Sequence, residues 1–269
     1  MNNPLHPVIF AGAGPGDPEL ITVKGQQALM AADLVIYAGS LVPEAVLKWA
    51  PSDGRVLNSA GMHLAEIVDE IETAYRKGER VVRLHTGDPS LYGAIFEQMA
   101  VLDKRSIEFR IIPGVTAAFA AAAAMGIEYT LPEISQTLIF TRMAGRTPVP
   151  EAERLENLAK HRCSMAIYLS ITLTADVARI LSDTYGKDAP CAIAFRVSQP
   201  EERIIFTTPG TLCETVRKEN ITHQALIIVG KVLEVTPKTL AHTSRLYDKS
   251  FGHGYRAGLE TDPCIEQDN

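Results

Sequence analysis

The stretch that decides the fold runs from residue 7 to residue 17 and has the sequence PVIFAGAGPGD. Its first five residues, 7–11, are mostly apolar and predict a buried strand, which the following glycine cluster ends in a tight turn. A helical pattern over 19–32 comes next, and a second apolar run at 34–36 predicts another strand. Strand, glycine turn and helix in this order are typical of an α/β protein with a parallel sheet.

The same alternation continues to residue 125. The clearest helix is 64–75, because its apolar residues recur at intervals of three and four and Gly78 follows in a capping position. The pattern predicts strands at 55–58, 80–84 and 109–112 and further helices at 92–102 and 117–125.

A break over 129–135 separates this half from a second series of elements. The later strands are spaced as in a mixed sheet. We therefore expect an α/β fold of two domains, with a mostly parallel sheet within 1–128, a mixed sheet within 129–236 and an irregular tail over 237–269. The second series has predicted strands at 137–141, 164–169, 191–195, 203–207 and 224–229 and helices at 151–160, 173–184 and 211–218.

Composition excludes several classes of protein. The 269 residues carry 26 Lys and Arg against 32 Asp and Glu, a net charge of −6, which does not favour nucleic-acid binding. The four cysteines lack CxxC spacing and the seven histidines lack metal-ligand spacing, so no metal site is predicted. The apolar run 117–125 falls well short of the about 20 residues that span a bilayer. We expect a soluble, cytoplasmic protein that does not bind membranes.

The glycine loop after the first strand does not match a dinucleotide-binding motif. Asp17 stands where the third glycine of GxGxxG belongs, and its carboxylate would repel a phosphate. Pro15 and Pro18 also remove backbone donors that a phosphate would need. The loop therefore suits a neutral or cationic ligand, although a tight turn without any ligand is a second interpretation.

Two more glycine turns follow predicted strands. They are TGDPSLYG at 86–93 and IPGVTA at 112–117. Three such turns at the carboxyl edge of one parallel sheet predict a shared crevice for a small molecule. The alternative for Asp88 is that it caps a helix starting near Tyr92.

In the second half of the chain, arginines lie on loops that follow predicted strands. The segment TRMAGRTPVPE at 141–151 places two arginines on a loop shaped by glycine and proline, and FRVSQP at 195–200 also follows a strand. These arginines form a candidate carboxylate clamp, or else a solvated basic loop.

Three segments resemble, in their order and separation, loops of the tetrapyrrole (corrin/porphyrin) methylases, which use S-adenosylmethionine. They are GAGPGDPELIT (12–22), GDPSLYG (87–93) and IPGVTA (112–117). The resemblance covers residues 7 to about 236. Four further strings are similar to segments of the family branch that methylates C-11 of precorrin-4 or cobalt-precorrin-4. They are YAGSLVPE (37–44), NSAGM (58–62), TRMAGRTPVPE (141–151) and SRLYDKSFGHGYR (244–256). Gly61 departs from this pattern, because a serine-like residue is expected at its position.

The resemblance implies a homodimer whose two α/β domains hold S-adenosylmethionine, or its product S-adenosylhomocysteine, in the cleft between them. Because the tetrapyrrole substrate bears many carboxylates, we expect Arg142, Arg146 and Arg196 to bind them and Tyr92 and Met143 to line the macrocycle. No residue stands out as a catalytic base. The residues implied around the cofactor are Pro15, Thr86, Gly87, Asp88, Leu91, Thr116, Ala117, Tyr168, Leu169, Val197, Ala225 and Leu226.

Other functions remain open at this point. Within the family, the chain is alternatively another precorrin or uroporphyrinogen methyltransferase. Outside it, the alternatives are a tetrapyrrole carrier without catalysis, a nucleotide-dependent oxidoreductase suggested by the glycine loop, and a methylase of ribosomal RNA. No residue decides whether the ring contains cobalt.

Overall fold

The first half of the chain forms a parallel sheet. The computed structural model describes residues 5–240 and 244–259. The strands are β1 (Val8–Gly12), β2 (Leu34–Tyr37), β3 (Arg55–Asn58), β4 (Val81–His85) and β5 (Phe109–Ile112). They lie in the order β3-β2-β4-β1-β5, and every neighbouring pair is parallel. All five carboxyl ends therefore point to one edge.

Helices cover both faces of this sheet, as parallel sheets require. The helices are α1 (Val23–Met30), α2 (Leu64–Arg76) and α3 (Ile95–Lys104). Phe10 and Ile36 pack with α2 and α3 in one buried cluster, whereas Ala11 and Val35 pack with α1 in another. The apolar runs of β1 and β2 are continuous because both of their faces are buried.

The second half forms a mixed sheet, as the sequence predicts. In it β6 and β7 are parallel and the other neighbouring pairs are antiparallel. The sheet comprises β6 (Leu138–Arg142), β7 (Ser164–Tyr168), β8 (Cys191–Phe195), β9 (Arg203–Thr207) and β10 (Ala225–Val229). Their order is β6-β7-β10-β8-β9. Its helices are α5 (Leu155–Leu158), α6 (Thr174–Tyr185) and α7 (Leu212–Lys218).

One helix connects the two sheets. The segment α4 (Ala117–Met125) follows the turn after β5, yet it packs on the second sheet. Ala118 and Ala121 of this helix share a buried cluster with Ala166, Ala194 and Ile228. Alanines on both sides let the helix approach the sheet closely, so the cluster fixes the second sheet relative to the end of the first.

Three predicted helices differ from the observed ones. The prediction over 19–32 is interrupted, because Thr22 caps a new helix by accepting a hydrogen bond from Gly25 N at 3.2 Å. The prediction over 92–102 starts too early, because Tyr92 (φ 56°) and Ala94 (φ 48°) are left-handed and α3 begins only at Ile95. The segment 151–160 contains short 3₁₀ turns on either side of α5.

The three glycine turns of the first sheet touch each other through their backbones. A Cβ atom on Gly12 would lie 2.5 Å from the carbonyl oxygen of Gly87, and one on Gly114 would lie 2.0 Å from that same oxygen. The Gly87 amide donates a hydrogen bond to the Gly14 carbonyl at 2.8 Å. Only residues without a side chain permit this approach at positions 12 and 114.

This contact makes a prediction about stability. Gly114→Ala forces the turn after β5 away from the turns after β1 and β4. We therefore expect it to lower the free energy of unfolding by about 1–3 kcal/mol. Gly61→Ala is the matched control, because its Cβ would have no atom within 4 Å and the position does not need a left-handed backbone. Urea denaturation of both variants measures the difference, and equal midpoints would contradict the close contact.

Candidate active site

A cavity of about 320 Å³ opens where the two sheets meet. Its walls come from the turns after β1, β4 and β5, from the ends of β7 and β8, and from the start of β10. It brings together all twelve residues that the resemblance implies around the cofactor, and also Tyr92 and Arg196. Arg142, Met143 and Arg146 do not line this cavity.

Asp88 fastens the second glycine turn to the third. Its carboxylate accepts hydrogen bonds from the amide of Gly114 at 2.8 Å and from the amide of Ser90 at 2.8 Å, and also from the Ser90 hydroxyl. Desolvation by burial raises the pKa of Asp88, but these three hydrogen bonds outweigh it and hold the pKa below its ordinary value. A carboxylate therefore stands in the cavity wall. The helix-capping interpretation of Asp88 is wrong, because α3 begins beyond it at Ile95.

Tyr168 connects the second sheet to the first residues of α4. Its hydroxyl lies 2.7 Å from Thr116 Oγ1 and accepts a hydrogen bond from the Ala118 amide at 3.1 Å. Burial is the main cause that raises the pKa of Tyr168, so the phenol stays protonated at neutral pH. The hydroxyl can thus donate to Thr116 while it accepts from Ala118.

Further bonds cross between the two halves at the first glycine loop. Ser198 Oγ accepts a hydrogen bond from the Asp17 amide at 3.0 Å, and the Gln199 side chain donates to the Pro15 carbonyl at 3.4 Å. The cavity is therefore bounded by segments that are bonded to each other across the two sheets.

Four wall residues have strained backbones although none is glycine. They are Tyr92 (φ 56°), Leu169 (φ 52°), Arg196 (φ 45°) and Gln224 (φ 49°). Such conformations cost about 1–3 kcal/mol each and cluster at ligand sites. The turn leaves Leu169 58% exposed at the opening of the cavity, although it is a large apolar residue. With Leu91, Val197 and Leu226 it makes much of the wall apolar.

The predicted arginines lie in three different environments. Arg196 faces the cavity, donates to the Gln224 side chain at 2.7 Å and forms an ion pair with Glu201 at 3.6 Å. Arg142 donates to three carbonyls of its own loop, those of Met143 (3.3 Å), Thr147 (3.2 Å) and Pro148 (2.7 Å).

Arg146, at the tip of that loop, is exposed and makes no hydrogen bond or ion pair with any residue that the structure describes. Arg142 therefore shapes the loop, and Arg146 is available to a ligand. A carboxylate contact stays a prediction for all three arginines.

Tyr92 stands between the cavity and this arginine loop. Its ring is 5.7 Å from that of Tyr168 and 42% of the residue is exposed. Burial raises the pKa of Tyr92, while the nearby charges of Arg142 and Glu153 act in opposite directions. The phenol is thus protonated and close to the loop that carries Arg146.

Several wall residues were not predicted from the sequence. His223 and Gln224 line the cavity, and Nε2 of His223 lies 3.3 Å from the Arg196 guanidinium. They precede β10, which runs antiparallel to its neighbours and so places its start at the cavity. A prediction based only on the carboxyl ends of strands does not include a segment at the amino end of an antiparallel strand. The other lining residues not predicted are Leu41, Ile171, Thr172, Ala194, Gln199 and Thr222.

Within residues 5–240 and 244–259, no three His, Cys, Asp or Glu side chains are grouped so that they could hold a metal ion. None of the helices in the same ranges is both long enough and apolar enough to cross a bilayer.

A cavity between the two sheets of an α/β fold, walled by strand ends, is typical of a protein that binds a small molecule. The model of the family described as Tetrapyrrole (Corrin/Porphyrin) Methylases matches residues 7–213. The chain therefore belongs to the tetrapyrrole methylases.

Individual relatives agree with this assignment. The cobalt-precorrin-4 C(11)-methyltransferase of Methanocaldococcus jannaschii is 50% identical over 250 residues, which are 93% of this chain and 95% of that protein. The X-ray structure of a cobalt precorrin-4 methyltransferase, a cobalamin biosynthetic enzyme, is 46% identical with a TM-score of 0.82, covering 84% of this chain and 95% of that chain.

A more distant solved structure contains a ligand. Uroporphyrin-III C-methyl transferase from Thermus thermophilus, complexed with S-adenyl homocysteine, is 27% identical with a TM-score of 0.73. The match covers 86% of this chain and all (100%) of that chain. The fold of this chain is thus shared with that solved structure at 27% identity.

The bonds of Asp88 predict a loss of stability on substitution. Asp88→Ala removes the link between two turns, so we expect the free energy of unfolding at pH 7 to fall by about 1–3 kcal/mol. Because the folded pKa is lowered, this contribution exists above the unfolded pKa of about 3.9 and is lost as pH falls through the folded value. The two proteins should therefore converge in stability in acid.

Urea denaturation at several pH values measures this difference. Asp53→Asn serves as the control, because Asp53 is exposed and lies in the turn before β3, at the opposite edge of the sheet. A difference between wild type and Asp88→Ala that did not shrink in acid would contradict a role of the carboxylate charge.

Proposed function

We propose that this chain transfers a methyl group from S-adenosylmethionine to C-11 of precorrin-4 or cobalt-precorrin-4, a step of cobalamin biosynthesis. The observation that carries the proposal is the 50% identity, over 93% of the chain, to a cobalt-precorrin-4 C(11)-methyltransferase. The gathering of the twelve expected cofactor residues around one cavity supports it independently.

The cavity residues fit the cofactor. A volume of about 320 Å³ is within the range of about 300–1,000 Å³ usual for small-molecule sites. Apolar walls at Leu91, Val197 and Leu226 suit an adenosine ring, and the Asp88 carboxylate suits a ligand with a sulfonium and an ammonium group. S-adenosylmethionine supplies an electrophilic methyl group when it is bound.

The chain's contribution to the reaction is positioning and exclusion of water. The Tyr168 hydroxyl at the end of β7 is bonded to Thr116 and Ala118 at the start of α4, so the walls hold a bound molecule in a fixed orientation. Leu169 at the opening covers that molecule with an apolar surface. Orientation and partial desolvation are effective for a displacement at carbon, in which charge becomes dispersed. The reaction releases a proton from the methylated macrocycle, which water or the substrate itself takes.

The macrocycle is proposed to lie at the cavity opening, against Tyr92 and Met143. Arg146 is the proposed contact for a peripheral carboxylate, and Arg196 is a second one from the cavity wall. Arg142 acts as a positioning residue, since its three hydrogen bonds to carbonyls hold the loop that presents Arg146.

We further propose, from the resemblance alone, that the protein is a cytoplasmic homodimer with domains at 1–128 and 129–236.

Mass spectrometry tests the proposed reaction directly. Precorrin-4 and cobalt-precorrin-4, each generated enzymatically, are incubated with the protein and S-adenosylmethionine. We expect one added methyl group on at least one ring, located at C-11, and the faster substrate identifies the physiological form. If neither ring gains a methyl group although S-adenosylhomocysteine binds, the position or substrate assignment is wrong.

The arginine loop gives a second prediction. Arg146→Ala is expected to raise the KM for the tetrapyrrole by about tenfold or more, the equivalent of one charged hydrogen bond, without changing the Kd for S-adenosylhomocysteine. Arg142→Lys keeps the charge but loses the planar fork that spans three carbonyls, so its KM should rise as well.

Arg179→Ala is the control for this pair, because Arg179 is an exposed arginine on α6, whose ion pairs are at 3.8 Å and 4.0 Å. Steady-state kinetics and calorimetry measure the effects. Wild-type KM in both loop variants would refute the role of the loop in substrate binding.

A further inference from the structure

A short segment near the end of the chain has an organised conformation of its own. Nη2 of Arg256 donates hydrogen bonds to the carbonyls of Leu246 (2.8 Å), Asp248 (2.8 Å) and Phe251 (3.2 Å). The backbones of His253 and Arg256 exchange two more, at 2.8 and 2.9 Å. One guanidinium thus holds together residues 244–259, which we call the C-terminal segment.

The C-terminal segment is organised without being buried. Each of its residues is exposed, with Tyr247 at 81% and Tyr255 at 101%. Among the described residues, its hydrogen bonds all stay within the segment, and none of its side chains belongs to a buried cluster of either sheet. A pre-formed surface that the rest of the chain does not use is suited to binding another molecule.

The chemistry of the C-terminal segment indicates which kind of molecule. It contains three cations, Arg245, Lys249 and Arg256, and the carboxylate of Asp248, in a chain whose net charge is −6. Its aromatic rings form a row, with Phe251 and Tyr255 each 6.4 Å from the ring of His253. Cations beside aromatic faces complement a conjugated ring that carries carboxylates.

The cavity opening has few cations for such a ring. Arg142 is engaged with its own loop, which leaves Arg146 and Arg196 among the predicted arginines, and Arg196 is already bonded to Gln224 and Glu201. A substrate with many carboxylates needs more positive partners than these. The C-terminal segment supplies them.

The chain is long enough to bring the C-terminal segment to the cavity. After β10, Val232 packs in the same buried cluster as Ala118 of α4, and Ala117 of that helix lines the cavity. The nine-residue helix α4, which connects this cluster to the cavity, is about 14 Å long. The twelve residues from Val232 to Ser244 span at most about 40 Å, which exceeds that length. The cavity opening of the same chain lies within that reach.

We propose that the C-terminal segment is a second tetrapyrrole-binding element, which contacts peripheral carboxylates and one face of the macrocycle. The proposal rests on the proposed function and adds a substrate contact outside the cavity. Arg245 and Lys249 bind carboxylates, the aromatic row lies against the ring, and Arg256 is a positioning residue that keeps the conformation.

Direct binding of precorrin-4 tests this role without requiring turnover. An absorption titration is carried out on the full chain with S-adenosylhomocysteine present. The double variant Arg245→Gln/Lys249→Gln is expected to raise the Kd for precorrin-4 at least tenfold and to weaken its dependence on salt. Arg256→Gln should give a comparable loss, while the Kd for S-adenosylhomocysteine stays at the wild-type value.

The matched control is Lys218→Gln/Lys238→Gln, which removes two exposed lysines outside the C-terminal segment. A Kd for precorrin-4 within twofold of wild type in the double variant would overturn the proposal. If sedimentation velocity showed altered assembly and the Kd were unchanged, the segment would be a contact between copies, which also overturns it. Wild-type protein that binds precorrin-4 but transfers no methyl group would refute the proposed function instead.

Discussion

The structure depends on the contact between the glycine turns that follow β1, β4 and β5. Gly12, Gly87 and Gly114 approach so closely that a side chain at 12 or 114 would overlap backbone. This contact aligns three strand ends and places Asp88 within hydrogen-bonding distance of the Gly114 amide. The turn that carries Asp88 is therefore held in the cavity wall by backbone contacts, which no rotamer change can move.

The second sheet completes the cavity because α4 holds it in place. Alanines on the helix and on β7 and β8 allow close packing, and the Tyr168 hydroxyl bonds to the first residues of the helix. The left-handed turns at Leu169 and Arg196 then direct strand ends toward the first sheet. Close packing on one side and strained turns on the other give a site that exists before a ligand binds. Such preorganisation suits a reaction in which orientation is the main contribution of the protein.

Local patterns in the sequence predicted much of the fold, and tertiary features account for what they missed. Strands 55–58 and 109–112 and helix 117–125 match the structure, because apolar runs and small-residue runs are local signals. The start of α3 was wrong, because no local signal reveals the left-handed backbone at Ala94. His223 was missed because the antiparallel direction of β10 is a property of the sheet. The bonds of Arg142 to its own loop also depend on the folded loop, so residue type alone suggested a free clamp.

Charge is distributed unevenly around the site, with Asp88 and Arg196 in the cavity wall and Arg146 on an outer loop. Under the proposed function, Asp88 faces the cationic methyl donor and Arg146 binds a carboxylate of the substrate. A crystal structure of the chain with S-adenosylhomocysteine tests the central claim most directly. The account predicts the ligand in the cavity, against the turn 86–91 and the start of β10. Density in the neighbouring groove of about 700 Å³, lined by Asp17, Glu44 and Glu201, with an empty cavity, would contradict it.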